Sequence, residues 1–411
     1  MTVVGIIAEY DPFHKGHLHH LQETLRLTGA DCVVAVMSGS FTQRGEPAAF
    51  DKWLRTEMAL QNGVDLVIEL PFYYACNQAA EFADGAVGIL DRLGGVDVLS
   101  FGSECGEIAP LEEAAVCLAE EGRLFQKQLR LGLDSGLAYG KARTEALAAI
   151  RPKLAELLRQ PNNLLGIEYL ISCRQRNSKM KALTIPRRGS EHSDVSLSAC
   201  PSATAIRRHL REQGRAEDLK EVLPQASWEL IRDRQEIKRL ELADFYEILA
   251  ARILLAGQAG LENIYSAGEG LANRLCAALD QAADLAGLIR LTKTSRYTEA
   301  RVRRLSAHII SGLTKERFYR AKQADAAYAR ILGFSLRGRS FLKKIKKEKS
   351  SRLPVLTNIH RGRPLDDPAA EEMLAFDLAV SELCHFLRYG RLAEFSDHRR
   401  SPVHRVETAS F

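Results

Sequence analysis

A parallel α/β sheet leading into a helical C-terminal half is the fold class predicted for this 411-residue chain. Three observations predict it. Short β-branched apolar runs recur about every 30 residues through the first hundred positions, which is the length of a βαβ unit. Helical patterns fill the gaps between those runs. Beyond Leu219 helical periodicity continues almost to the end, with no convincing strand.

The elements follow in order. Val3-Val4-Gly5-Ile6-Ile7-Ala8 is the first run, Cys32 to Met37 the second, Leu66 to Leu70 the third and Val96 to Phe101 the fourth. Runs this short and this continuous are strands buried on both faces. Helices are predicted over His17 to Leu27, Lys52 to Gln61 and Gln78 to Leu93; Gly63 and Gly94-Gly95 stop the last two. Residues 110 to 160 read as wholly helical, an insertion or a crossover. Pro161-Asn162-Asn163 breaks that run, and Leu164 to Arg176 resumes a helix. Ala182 to Ile185 reads as a further strand and Pro186 to Pro201 as a loop. Ser202 then N-caps another helix. No internal repeat or low-complexity tract interrupts the pattern.

Composition narrows the class. Hydrophobic content of 46% and charged content of 27% suit a soluble globular chain, and the length asks for two domains or three. No basic region precedes an apolar stretch at the N-terminus, and no apolar run approaches the roughly 20 residues of a membrane helix. A cytoplasmic protein without membrane association is expected, with no stable protein partner. The eight cysteines are scattered, with neither a CxxC pair nor a histidine at metal-ligand spacing. They read as reduced, mostly buried thiols rather than as a zinc site or a disulfide framework.

The chemistry concentrates after the first run, in Glu9-Tyr10-Asp11-Pro12-Phe13-His14-Lys15-Gly16-His17-Leu18. Open parallel sheets bind ligands at the carboxyl ends of their strands, beside helix N-termini. His14 falls in the loop and His17 at the helix start. Gly16 removes a side chain that would block a phosphate nearing the backbone, and the helix N-terminus supplies N–H groups and partial positive charge. Two imidazoles there can donate to phosphate oxygens whose charge grows during attack at an α-phosphorus.

This arrangement resembles the HIGH superfamily, which includes class I aminoacyl-tRNA synthetases, pantothenate synthetase and the pantetheine-phosphate and nicotinamide-mononucleotide adenylyltransferases. The KMSKS loop of the synthetases is absent. Ser202-Ala203-Thr204-Ala205-Ile206-Arg207 instead resembles the ISSTxIR motif with which the adenylyltransferases hold triphosphate, departing from it at Ala203. Further stretches narrow the likeness: Ser38 to Pro47, Gly63 to Pro71, Phe101-Gly102-Ser103-Glu104 and Pro161 to Tyr169. With Glu9 to His14 they resemble the tRNA(Met) cytidine acetate ligase family. The likeness runs the whole chain, with its specific motifs mostly before Arg208.

The resemblance implies a Rossmann-like nucleotidyltransferase domain over 1–215 and an all-α, basic, tRNA-binding domain over 220–411. It implies that acetate is activated with Mg·ATP to acetyl-AMP and passed to N4 of the wobble cytidine of elongator tRNA(Met). The implied catalytic residues are His14, His17, Ser202, Thr204 and Arg207. The implied ATP site takes Ile7, Ala8, Glu9, Tyr10, Asp11, Pro12, Phe13, His14, Lys15, Gly16, His17, Leu18, His19 and His20, with Gly102, Asn162, Arg187 and Arg188. Asn162-Asn163 has an alternative reading as a helix N-cap. Arg44 is a candidate for holding the acetate carboxylate or the phosphates. The loop Gly189 to Asp194 departs from the family's tighter Gly-Tyr-His-Asp, so His192 and Asp194 are given no role.

Charge distribution points to a polyanion independently. From Lys293 to Lys349 there are 17 Lys and Arg against 4 Asp and Glu, while the rest of the chain carries 40 against 48. Arg296, Tyr297, Arg301, Arg304, Arg337, Arg339, Lys343, Lys344, Lys346 and Lys347 are the candidates for tRNA, suited to a phosphodiester backbone and splayed bases. Two other functions remain open on sequence. One is a small-molecule adenylyltransferase of the pantetheine-phosphate or nicotinamide-mononucleotide type; the other is an RNA-binding or assembly protein with a vestigial nucleotide site.

Overall fold

The computed structural model describes residues 1–187, 202–212, 215–234, 238–325, 327–359, 365–392 and 396–405. Five strands, β1 (Val3–Ala8), β2 (Cys32–Ser38), β3 (Leu66–Leu70), β4 (Val98–Ser103) and β5 (Lys181–Pro186), lie parallel in the order β5-β4-β1-β2-β3. The order reverses beside β1, whose end is thus the crevice where such sheets place ligands. Successive residues face opposite layers. Val34 and Val36 join one core while Val33, Ala35 and Met37 join the other, which is why the strands read as unbroken apolar runs.

The helices largely follow the expected limits. Lys52–Gln61 agrees at both ends, with the Asp51 carboxylate accepting from Leu54 N–H at 2.8 Å. The first helix, Lys15–Thr28, begins two residues earlier than expected and ends on Gly29, whose φ is 60°. Between β4 and β5 the chain is helical, in four segments from Ile108 to Leu157. The expected break falls at 158–160, three residues earlier, and Pro161 opens helix Pro161–Gln175. Proline suits a first helical turn because its missing N–H has no partner there anyway.

The expectation of no strand beyond Leu219 is corrected. The C-terminal half is mainly helical, but Ala329–Phe334 (β6) pairs antiparallel with β3. Val355–Leu356 (β7) and Val403–His404 (β8) then pair parallel with β6. The strand signal of β6 is masked by Arg330, a buried cation among Ala329, Ile331 and Leu332. Arg330 is neutralised in place by Glu69 at 2.9 Å and Asp397 at 3.0 Å. Helices beyond residue 245, through Leu249, Leu275, Val302 and Phe318, share one apolar core with a face of the sheet. Among the described residues no helix is long and apolar enough to cross a membrane.

Candidate active site

His14 caps the helix it precedes. Its Nδ1 accepts from Gly16 N–H at 3.0 Å, and its own backbone N–H donates to His17 Nδ1 at 3.2 Å. A nitrogen that accepts carries no proton, so both neutral rings hold theirs on Nε2. The imidazoles stack with centroids 3.7 Å apart and 19° between planes. Two Nε2–H groups are thereby held at a helix N-terminus, the place where donors stabilise growing negative charge on phosphate. Gly16 is required for a reason beyond the phosphate approach expected of it. A Cβ there would sit 2.9 Å from His14 Cε1 and 3.0 Å from Nδ1, displacing the capping ring.

The rest of the loop supports these rings. Tyr10 and Phe13 are buried and pack on His17, at 4.9 Å edge-on and 5.6 Å tilted. The Asp11 carboxylate accepts from Ala49 and Phe50 N–H at 2.9 and 3.0 Å, and a cis peptide joins Asp11 to Pro12. Ile7 and Ala8 close β1 against Val36 and Met37. Leu18 packs into the core, and the Lys15 ammonium donates to the Glu221 carbonyl. His20, half-buried, shares Ser100 Oγ with Thr24. Loss of solvation, aided by the Arg187 and then the His19 charge, lowers its pKa to about 4.

Helix Ala203–Glu212 brings the second motif to this loop. Arg207 donates to the Asp11 carbonyl at 2.7 Å and lies 3.3 Å from Thr204 Oγ1. Ser202 Oγ accepts from Ala205 N–H at 3.1 Å, confirming its place as the N-cap. Arg207, with Thr204 beside it, therefore ties this helix to the turn that leads into the two histidines.

A second cluster lies on the neighbouring strands. Glu104, after β4, accepts from Asn162 Nδ2 at 2.6 Å and from Asn163 N–H at 2.7 Å. Asn163 Oδ1 returns the contact, accepting from Glu104 and Cys105 N–H at 2.9 and 3.1 Å. The side-chain cap of helix Pro161–Gln175 is thus Glu104, and Asn162 is held by it rather than being the cap itself. Asn162 Oδ1 in turn accepts from Arg187 at 2.9 Å. At Gly102 a Cβ would only touch Arg187 Cγ, at 3.4 Å, so protein packing alone tolerates a methyl there. Arg188 lies outside the described residues, as do His192 and Asp194.

The loop after β2 closes the site's rim. Gln43 N–H donates to Glu9 at 2.7 Å; burial pushes the Glu9 carboxyl up, against the pull of that bond and of the Arg207 charge. Arg44 is exposed, forms no ion pair among the described residues, and its charge acts on Glu9. Gly45, at φ 84°, lets the loop meet the backbone of Arg303 and Arg304 in helix Glu299–Ser311. Arg303 bonds Glu46 at 2.8 Å.

The sequence candidates for RNA therefore separate. Arg304 packs at the rim, within 3.5 Å of the Gln43 carbonyl, and Arg301 stacks over Tyr297. Arg296 and Arg301 both pair with Glu269, at 3.5 and 3.0 Å. Arg337, Arg339, Lys343, Lys344, Lys346 and Lys347 lie elsewhere, on helix Leu336–Glu348.

Two arginines that sequence reasoning passed over hold the site together. Arg55 is fully buried and donates to the Phe50 carbonyl at 3.0 Å and the Glu9 carbonyl at 2.6 Å, with a further bond to the Gly39 carbonyl. Arg388, on helix Pro368–Tyr389, donates to the Ala49 and Ala48 carbonyls at 2.8 and 3.0 Å. It thus fixes the segment whose N–H groups hold Asp11. Arg55 could have been found as one of two cations, with Lys52, set among the apolar residues of a predicted helix; nothing local marks Arg388.

Comparison with known proteins follows the same lines. A sequence model of the HIGH Nucleotidyl Transferase family matches residues 1–397. The tRNA(Met) cytidine acetate ligase of Thermoanaerobacter sp. strain X514 is 41% identical over 365 residues, 87% of this chain and 89% of that protein. The protein of the same name from Caldicellulosiruptor bescii is 38% identical, covering 98% of this chain and 99% of the relative. A crystal structure of Thermotoga maritima TmcAL bound with alpha-thio ATP superposes with a TM-score of 0.90 at 32% identity, covering 98% of this chain and 99% of that one.

Proposed function

This chain belongs to the tRNA(Met) cytidine acetate ligase family, and from that premise we infer that it acetylates the wobble cytidine of elongator tRNA(Met) at N4, at the expense of ATP. The observation that carries the reading is the stacked His14–His17 pair at a helix N-terminus, directly after the turn to whose Asp11 carbonyl Arg207 is tied. An acetate oxygen attacks the α-phosphorus of Mg·ATP, and the bond to pyrophosphate breaks as acetyl-AMP forms. His14 and His17 donate to the phosphate oxygens as their charge grows. Ser202, Thr204 and Arg207 hold the departing pyrophosphate, with Arg187 and Asn162 on the nucleotide and Arg44 at the rim for the carboxylate.

In the second step the cytidine amine attacks the acetyl carbon, loses a proton, and AMP leaves. That amine is a weak nucleophile because its lone pair is delocalised into the ring. Activation of the acid and accurate placement are what the protein must supply. Arg296, Arg301 and Arg304 are assigned to the RNA near the rim, in a cytoplasmic enzyme; Tyr297, expected to stack on a base, is instead buried with its hydroxyl donating to the Glu269 carbonyl. ATP–pyrophosphate exchange with and without acetate tests the first step. Mass spectrometry of nucleosides from tRNA incubated with ATP and labelled acetate tests the second. Exchange that ignores acetate, or tRNA without labelled acetylcytidine, overturns the reading.

A further inference from the structure

Helix Leu336–Glu348 stands at the opposite end of the sheet from the histidines. The chain direction requires it. β6 runs antiparallel to β3, with Phe334 beside Leu66, so β6 ends where the parallel strands begin. Ser335 then bonds Asp65 twice, N–H to carbonyl at 2.8 Å and Oγ to carboxylate at 2.7 Å. Gly338 packs directly on the Asp65 carbonyl, where a Cβ has no room. Phe341 and Ile345 are buried beneath the helix, near Gly95 ahead of β4. His14 follows the other end of β1. Strands of five to seven residues at about 3.3 Å each put roughly 20 Å between the two ends.

With Gly338, Phe341 and Ile345 turned inward, the helical period places Arg339, Lys343, Lys346 and Lys347 along one outward stripe, and all four are exposed. None pairs with a carboxylate among the described residues, and Glu348 is the helix's sole acidic residue. At the rim, by contrast, Arg296, Arg301 and Arg303 each have a carboxylate, and Arg44 is the exception. An aligned set of uncompensated cations on a rigidly seated helix matches a phosphodiester backbone, which repays each cation with released counterions.

We infer that the Arg339–Lys343–Lys346–Lys347 stripe is a second RNA-backbone surface, gripping the body of the tRNA about 20 Å from the acetylation site. The inference rests on the ligase reading. It assigns the stripe to affinity and not to chemistry.

The test is the triple variant K343Q/K346Q/K347Q of the full chain, with elongator tRNA(Met) binding measured across a KCl series. The slope of log K against log salt is expected to become shallower by about 3, near one per lysine removed. The tRNA KM is expected to rise on the order of tenfold at low salt, with acetate-dependent ATP–pyrophosphate exchange unchanged. An unchanged salt slope and KM overturn the proposal, as when the stripe serves an acidic protein instead. A variant that also loses exchange overturns the separation of roles. If the wild-type chain itself neither binds nor acetylates tRNA, the ligase reading has failed rather than the stripe.

Discussion

The two ends of the sheet treat charge in opposite ways. At the carboxyl end the groups around the histidines have fixed partners, Arg44 excepted: Asp11 takes two backbone N–H groups, Arg207 binds the Asp11 carbonyl, and Arg303 binds Glu46. At the other end Arg339, Lys343, Lys346 and Lys347 project outward without acidic partners among the described residues. The difference reflects two kinds of work. Transition-state stabilisation requires dipoles already aimed when charge develops, because reorientation during the step would cost what the site is meant to save. Adhesion to RNA needs only charge, and mobile lysines serve it well.

The strongest way to break that comparison is His17→Ala. It removes one of two preorganised donors, and acetate-dependent exchange should fall on the order of 100- to 1,000-fold while tRNA affinity stays put. Exchange at the wild-type rate would show that the stacked pair is not the catalytic device. Gly16→Ala comes next and is more discriminating. The methyl pushes on the His14 ring, so activity should fall between about tenfold and a hundredfold. The gain in helix propensity, at most roughly 1 kcal/mol, is offset by a disturbed His14 cap worth about 1 kcal/mol, so the melting temperature should change little. A fully active, more stable variant would mean the capped position of His14 is incidental.

Glu104→Gln probes the second cluster, where the expected effect is smaller. The neutral amide no longer favours the helix N-terminus by charge and donates where the carboxylate accepted. About 1 kcal/mol of stability should go, and with Asn162 and Arg187 loosened the ATP KM should rise severalfold. A KM for ATP that stays constant while stability falls would confine Asn162 and Arg187 to a structural role.

Why some of this was legible and some was not follows from range. The histidine turn, the run before it and helix Lys52–Gln61 are local, and their caps, glycines and periodicity are written within a few residues. Arg388, β6 and the Glu104–Asn163 exchange depend on partners far along the chain. Arg330 in β6 looks like a break in an apolar run until Glu69 and Asp397 are placed beside it. One hint was present, since Glu69 sits inside the buried run Leu66–Leu70, and a lone carboxylate in an apolar strand calls for a cation. The basic tract misled in a different way. Read as one stretch it is a single footprint, yet the reversal of direction at β6 sends its two parts to opposite ends of the sheet.

The smallest effect expected concerns pH, and it asks whether the core joining the rim to the C-terminal helices is as closed as the site. His308 is buried, with Nε2 2.8 Å from the Cys76 carbonyl and Nδ1 2.9 Å from Ser266 Oγ. Burial lowers its pKa to about 4, with the Arg304 charge acting the same way and the backbone bonds opposing. The unfolded chain protonates this ring near its ordinary value of about 6.5, whereas the folded chain resists until about 4. Between those values the unfolded state binds more protons, so stability falls as pH drops through that window and levels off below it. Melting temperatures from pH 7 to pH 4.5 should therefore decline, and His308→Gln should show a shallower decline even if less stable throughout. An equally steep decline in the variant would mean that water or a rearranged partner reaches His308 in the folded state. The tight seat of helix Glu299–Ser311 against the loop carrying Gly45 would then be looser than the site it borders.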